Sequence, residues 1–153
     1  IMYQSLDSSV QYCVGNKYDP TERTLGIVAN NAEITGEGTY TVSLDFSDCG
    51  IPKGVLFSAL GIYNGEKFFP DYTISIDEVK VNGEVRELSG KEYTCSDDGN
   101  CTRVNLYNQW VTSIPDDSRY ADGDKSGLSA TVLPVKDNEI LSTLEITFTY
   151  SAP

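Results

Sequence analysis

Histidine is missing from this sequence altogether, and methionine and tryptophan occur once each. The chain therefore lacks the side chain that most often moves protons near pH 7 and most often ligates metals. Serine and cysteine nucleophiles are left without their usual activating base. Basic residues are scarce as well: 11 Lys and Arg stand against 23 Asp and Glu, a formal charge of −12. Such a surface repels phosphate backbones and anionic membranes, so nucleic acid and lipid are poor partners. Acidic polysaccharides such as pectins are disfavoured for the same reason. No window holds the roughly 18 consecutive apolar residues of a membrane helix. Nor does a basic flank precede an apolar run at the N-terminus, as in a signal peptide.

What is present is the composition of one ordered domain: 153 residues, 39% hydrophobic, with 13 Gly and 6 Pro. The first and last residues, Ile1-Met2 and Ser151-Ala152-Pro153, lead us to expect a module cut from a longer protein. Four cysteines allow three pairings. Cys95 and Cys101 bracket the turn-forming Ser96-Asp97-Asp98-Gly99-Asn100, which suits a hairpin tip and pairs them first; Cys13 with Cys49 follows by elimination. The alternative is four thiols. Neither spacing is that of a zinc or redox CxxC site. Disulfides would place the protein outside the cytoplasm.

Period-two alternation dominates the chain. Tyr40, Val42, Leu44 and Phe46 alternate with Thr39, Thr41, Ser43 and Asp45, one buried face and one wet one. Leu144, Ile146, Phe148 and Tyr150 repeat the pattern at the C-terminal end. Residues 55–62 are apolar on both faces and read as a central strand. Tyr72, Ile74 and Ile76 alternate, then the phase slips to Val79 and Val81, which predicts a bulge near Asp77-Glu78. Asn82-Gly83 predicts a two-residue type I′ hairpin. Further strands are expected over 6–15, 25–29, 32–35 and 130–133, with turns at Asp19-Pro20 and 64–67 and a turn or single helical turn at 134–138. No segment carries a 3.6-residue apolar period over three turns. The fold class is all-β, an antiparallel β-sandwich of the jelly-roll kind.

Residues 102–124 concentrate the polar and aromatic chemistry. Val104 and Leu106 claim one face of a strand, leaving Arg103, Asn105 and Tyr107 on the other, with Gln109 continuing that face and Trp110 following. The second half, rich in Pro, Asp, Ser and Gly, reads as a long ordered loop. Sugars are bound by stacking a pyranose face on an aromatic ring while amides and guanidinium groups bond the hydroxyls. Trp110, Tyr107, Gln109, Asn105 and Arg103 supply that inventory. Against this, a lone tryptophan often anchors the core of a sandwich. Tyr12, Tyr18, Tyr63, Tyr93 and Tyr120 fall in or beside expected loops and could extend the platform.

Asp122-Gly-Asp124-Lys-Ser126-Gly matches the first half of an EF-hand loop, but its twelfth position is Leu133 rather than glutamate. A structural calcium held by Asp122, Asp124 and Asp116 or Asp117 is an option beside a solvated acidic turn; no cofactor is required. A glycosidase would need two carboxylates across a cleft, and no linear motif points to such a pair. The sequence reads as non-enzymatic.

Three runs, ITGEGTYTVSLDFS from Ile34, FPDYTISIDEVKVNGE from Phe69 and SDDGNCTRVNLYNQWVTSIPDDSRYADGD from Ser96, resemble non-catalytic modules appended to cellulases and other β-glucanases of gut and rumen bacteria. The nearest group is carbohydrate-binding module family 65 and its relatives, β-jelly rolls that bind β-1,4-glucans including xyloglucan. The resemblance implies a groove lined by aromatic residues and assisted by amides, here carried onto Trp110, Tyr107 and Gln109. Such modules usually offer two or three tryptophans; this chain has one, and it has Val10 and Val14 where an aromatic residue is expected, so either tyrosines such as Tyr12 substitute, or the ligand is weaker or different, or the site has moved. The expectation is an extracellular, monomeric module that holds covalently linked catalytic or scaffold modules against neutral plant cell-wall polysaccharide. The alternative is a structural or adhesive sandwich domain with no glycan ligand.

Overall fold

The computed structural model describes residues 1–7, 9–13, 25–50, 52–98 and 100–153. Val14, Tyr18 and the Asp19-Pro20 turn lie outside them. Ten strands and one helical turn follow in order: β1 (Met2–Gln4), β2 (Gln11–Tyr12), β3 (Val28–Asn30), β4 (Gly38–Asp45), β5 (Phe57–Ile62), α1 (Gly65–Phe68), β6 (Thr73–Val81), β7 (Glu84–Arg86), β8 (Thr94–Asp97), β9 (Cys101–Asn108) and β10 (Thr143–Ser151). They form two five-stranded sheets, β2-β1-β5-β9-β8 and β3-β4-β10-β6-β7, with every pairing antiparallel. This is the expected all-β sandwich.

The second sheet follows the sequence pattern closely. On β10, Leu144, Ile146, Phe148 and Tyr150 are buried, and they lie opposite Leu44, Val42, Tyr40 and Gly38 of β4. Thr147 and Thr149 fall on the wet face, where their hydroxyls meet those of Thr41 and Thr39 at 2.9 and 3.2 Å. The phase slip in β6 is a bulge: Thr147 pairs with Glu78 and Phe148 with Ile76, leaving Asp77 unopposed. The hairpin turn also stands as expected, since Asn82 and Gly83 both take the positive φ that a type I′ turn demands.

Elsewhere the local pattern misled. β1 was not anticipated, and among the described residues of the segment 6–15 only Gln11–Tyr12 form a strand. Residues 64–67 were expected to turn, and instead Asn64 precedes α1 and 65–67 belong to it. Residues 130–133 are not a strand, because the Val132 and Leu133 amides both donate to the single carbonyl of Leu106 instead of laddering. Neither expected disulfide forms. The hairpin tip is where the spacing put it, but Asp97 lies opposite Cys101 and Arg103 opposite Cys95. The two cysteines are therefore diagonal neighbours, roughly 7–8 Å apart, beyond the roughly 4.4–6.8 Å of bridged Cα atoms. Cys13 packs with Met2 and Ala59 on the outward face of the first sheet, whereas Cys49 packs against the core between the sheets.

The two layers are clipped together at one end by an ion pair. Arg86 of β7 bonds both carboxylate oxygens of Glu139, whose own carbonyl accepts from the Gly54 amide beside the first sheet. The hydrogen bonds from Arg86 are the main cause that holds the Glu139 carboxyl below its usual range. A depressed carboxylate pKa contributes stability above the unfolded value and loses it as pH falls through the folded one. Glu139→Gln should therefore cost about 1–3 kcal/mol at pH 7. In urea titrations the difference from the parent should shrink as pH falls below 4.5, the ordinary glutamate value. A difference that stays constant through that range would remove the ion pair from the account.

Candidate functional site

The outward face of the first sheet carries the site, and a bulge in β9 composes it. Leu60 lies opposite Val104 on the core side, so Ala59, opposite Asn105, faces outward. The register then shifts: Ser58 lies opposite Tyr107, Phe57 opposite Asn108, and Leu106 is the extra residue. The Val132 and Leu133 amides capture the Leu106 carbonyl that the bulge releases, and the Asn108 amide bonds the Thr131 hydroxyl at 3.1 Å. Past the bulge the facing inverts relative to simple alternation. Tyr107 accordingly packs against the core, and Asn108 takes the outward place expected of Tyr107.

Trp110 follows directly and is 56% exposed, so it is no core anchor. Its ring lies 6.3 Å from that of Phe57 at an interplanar angle of 46°. The Arg103 guanidinium stands 5.4 Å from the other ring of the pair, that of Phe57. These three side chains, with Gln4 and Asn108, surround a shallow hollow of about 270 Å³. Phe57 is there because β5 is apolar on both faces, and its outward side needs cover.

A hydrogen-bond relay lies beneath the rings. Arg103 donates to Asp97 at 2.6 Å and through Nε to the Asn105 side-chain oxygen at 2.9 Å. That oxygen also accepts from the Asn108 amide at 3.1 Å, while Asn105 donates to the Tyr93 hydroxyl at 3.0 Å. The Asn108 oxygen accepts from the Trp110 main-chain N–H at 3.1 Å. Asn105 is only 2% exposed. It therefore positions Arg103 and Asn108 rather than meeting a ligand. Burial pushes the nearby Cys95 thiol up to about 11, far from the range of a nucleophilic cysteine.

Of the residues expected at the site, Trp110 and Arg103 line the hollow and Asn105 supports it. Gln109 is exposed in the turn after β9 and does not line it. Tyr12 lies opposite Tyr3 on the core side of the sheet, its hydroxyl accepting from Asn31 at 3.3 Å. Tyr93 is buried in the relay. Phe57, Gln4, Asn108 and Asp97 were missed. A strand apolar on both faces was a usable signal for Phe57; nothing in the local sequence announces the bulge that selects Asn108.

The acidic turn is organised around a cation the chain supplies itself. Lys91 reaches Asp122 at 3.5 Å and Asp124 at 3.7 Å, donates to the Asp124 carbonyl at 2.6 Å, and lies 4.0 Å from the centre of the Tyr120 ring. The Asp124 carboxyl is held below its usual range by the Ser126 main-chain N–H first, then by the Ser126 hydroxyl and Lys91. Asp117 is committed elsewhere, accepting from the Ser96 amide at 2.8 Å, and Asp116 is exposed. Among the described residues no group of three potential ligands gathers for a metal ion.

The loop that carries these residues is pinned to β8 and to the segment around α1. Arg119 exchanges main-chain hydrogen bonds with Thr94, donates to the Tyr72 carbonyl at 2.8 Å and pairs with Glu66. No protein-family model matches this chain, and no curated protein or solved structure shows significant similarity to it.

Proposed function

We propose that this protein is a non-catalytic module that binds a neutral β-glucan, such as a β-1,4-linked, xyloglucan or mixed-linkage chain, across the Phe57–Trp110 face. The observation that carries the reading is an exposed tryptophan beside a second ring, with a guanidinium and amide groups at its edge, on the outward face of a five-stranded sheet. Aromatic faces cover the C–H surface of a pyranose, and fixed polar groups orient its hydroxyls. The net charge of −12 favours a neutral polymer over an acidic one. The likeness of residues 34–124 to modules of β-glucanases points the same way and suggests linked catalytic or scaffold domains. The reading places the protein outside the cell, where such polymers are; its four thiols lend that placement no support.

A structural or adhesive domain is the second reading, favoured by the opposite sheet, whose outward face carries two pairs of threonine hydroxyls, Thr39–Thr149 and Thr41–Thr147. Affinity electrophoresis separates the two. Retarded migration of the folded protein in gels containing xyloglucan, barley β-glucan or hydroxyethylcellulose, but not in galactomannan, is the expected result. Unretarded migration in all of them removes the glucan reading.

A further inference from the structure

Asparagine followed by glycine is the least protected amide in a protein chain. Glycine has no Cβ to hold its main-chain nitrogen away from the asparagine side chain. The sequence contains the pair twice, as Asn64-Gly65 and Asn82-Gly83. Both asparagines take the left-handed conformation, at φ 58° and 54°. Local sequence and backbone therefore do not separate them. Exposure alone would single out Asn82, which lies open on its hairpin tip, whereas Asn64 is half-buried.

Hydrogen bonding reverses that order. The Asn82 side chain is held at both ends of its amide. Its nitrogen donates to the Ile140 carbonyl at 2.8 Å, and its oxygen accepts from the Ser142 and Thr143 main-chain N–H groups at 2.6 and 3.2 Å. The Asn64 side chain caps no N–H of α1, and it has no other hydrogen-bond partner among the described residues. Nor does the Gly65 N–H find an acceptor among them. Attack by the Gly65 nitrogen on the Asn64 side-chain carbon therefore has no such bond to break, whereas at Asn82 three must be given up first.

We infer that Asn64 is a site of spontaneous deamidation in the folded protein and that Asn82 is protected from it. The Gly65 nitrogen bonds to the Asn64 side-chain carbon, its proton passes through solvent to the departing amide nitrogen, and ammonia leaves. Water then opens either C–N bond of the resulting five-membered imide, giving aspartate or its isomer with the main chain routed through the side-chain carbon. That isomer displaces the Asn64 carbonyl, which accepts from the Lys67 and Phe68 N–H groups at 3.1 Å each. It thereby loosens α1, whose Glu66 pairs with Arg119. The site does not depend on glucan binding at Trp110. The experiment is incubation of the full chain in mildly alkaline buffer, with and without urea, followed over time by peptide mapping with mass spectrometry. In the folded protein the acid products should accumulate at position 64 at least about tenfold faster than at position 82. In urea the two pairs should react at similar rates, because the difference belongs to the fold. Equal or faster reaction at Asn82 in the folded protein would overturn the assignment. So would a position 64 that keeps its amide when folded and loses it in urea, or a difference between the pairs that persists in urea.

Discussion

Trp110→Ala should lower affinity for soluble β-glucan about 30-fold or more, the effect of losing a central aromatic anchor worth about 2 kcal/mol or above. The same change should leave the thermal transition almost where it was. Trp110 is mostly exposed and touches the protein chiefly through the tilted Phe57 ring, so its stability cost should stay below about 1 kcal/mol. The pairing of a large binding loss with a small stability loss is what marks a platform. A loss of several kcal/mol in stability, as for a buried aromatic residue, would put Trp110 in the core and misplace the site.

Asn105→Ala should behave in the opposite way. Its amide is buried and bonded to Arg103, Asn108 and the Tyr93 hydroxyl, and alanine would take one hydrogen-bond partner from each of them. Leaving buried groups without partners costs about 1–3 kcal/mol each before relaxation. A net loss of about 3 kcal/mol is expected, a fall of about 10 °C in the melting temperature. Binding should weaken too, because Arg103 and Asn108 would no longer be held at the rim of the hollow. If affinity collapses while the melting temperature stands still, Asn105 is a direct ligand and the relay does not have the role given to it.

These two residues also show what the sequence made legible. The strands that were read correctly, β4 and β10, have one face in the core and one in water, so side-chain polarity alone reports their phase. Trp110 was found because indole is conspicuous wherever it stands. The facing of Tyr107 was misread because it depends on an extra residue, Leu106, whose carbonyl is satisfied by Val132 and Leu133 more than twenty positions away. The disulfide expectation failed on register: the turn was recognised, but which residue faces Cys101 is fixed by the length of the loop and not by its composition. The calcium-like turn shows the same limit. Its acidic residues were visible in order, while Lys91, which holds them, comes from a segment about thirty residues earlier.

Because the sequence has one tryptophan, its fluorescence reports the proposed platform and little else. The most direct measurement is therefore emission during titration with xyloglucan oligosaccharides, glucan oligosaccharides and, as a control, galactomannan oligosaccharides. Covering an indole that is now largely in water should shift the emission to shorter wavelength along a saturable curve, with a micromolar midpoint for the preferred glucan and no response to the control. Emission that stays fixed while an independent measurement shows the glucan bound would contradict the account, because binding would then be taking place away from Trp110.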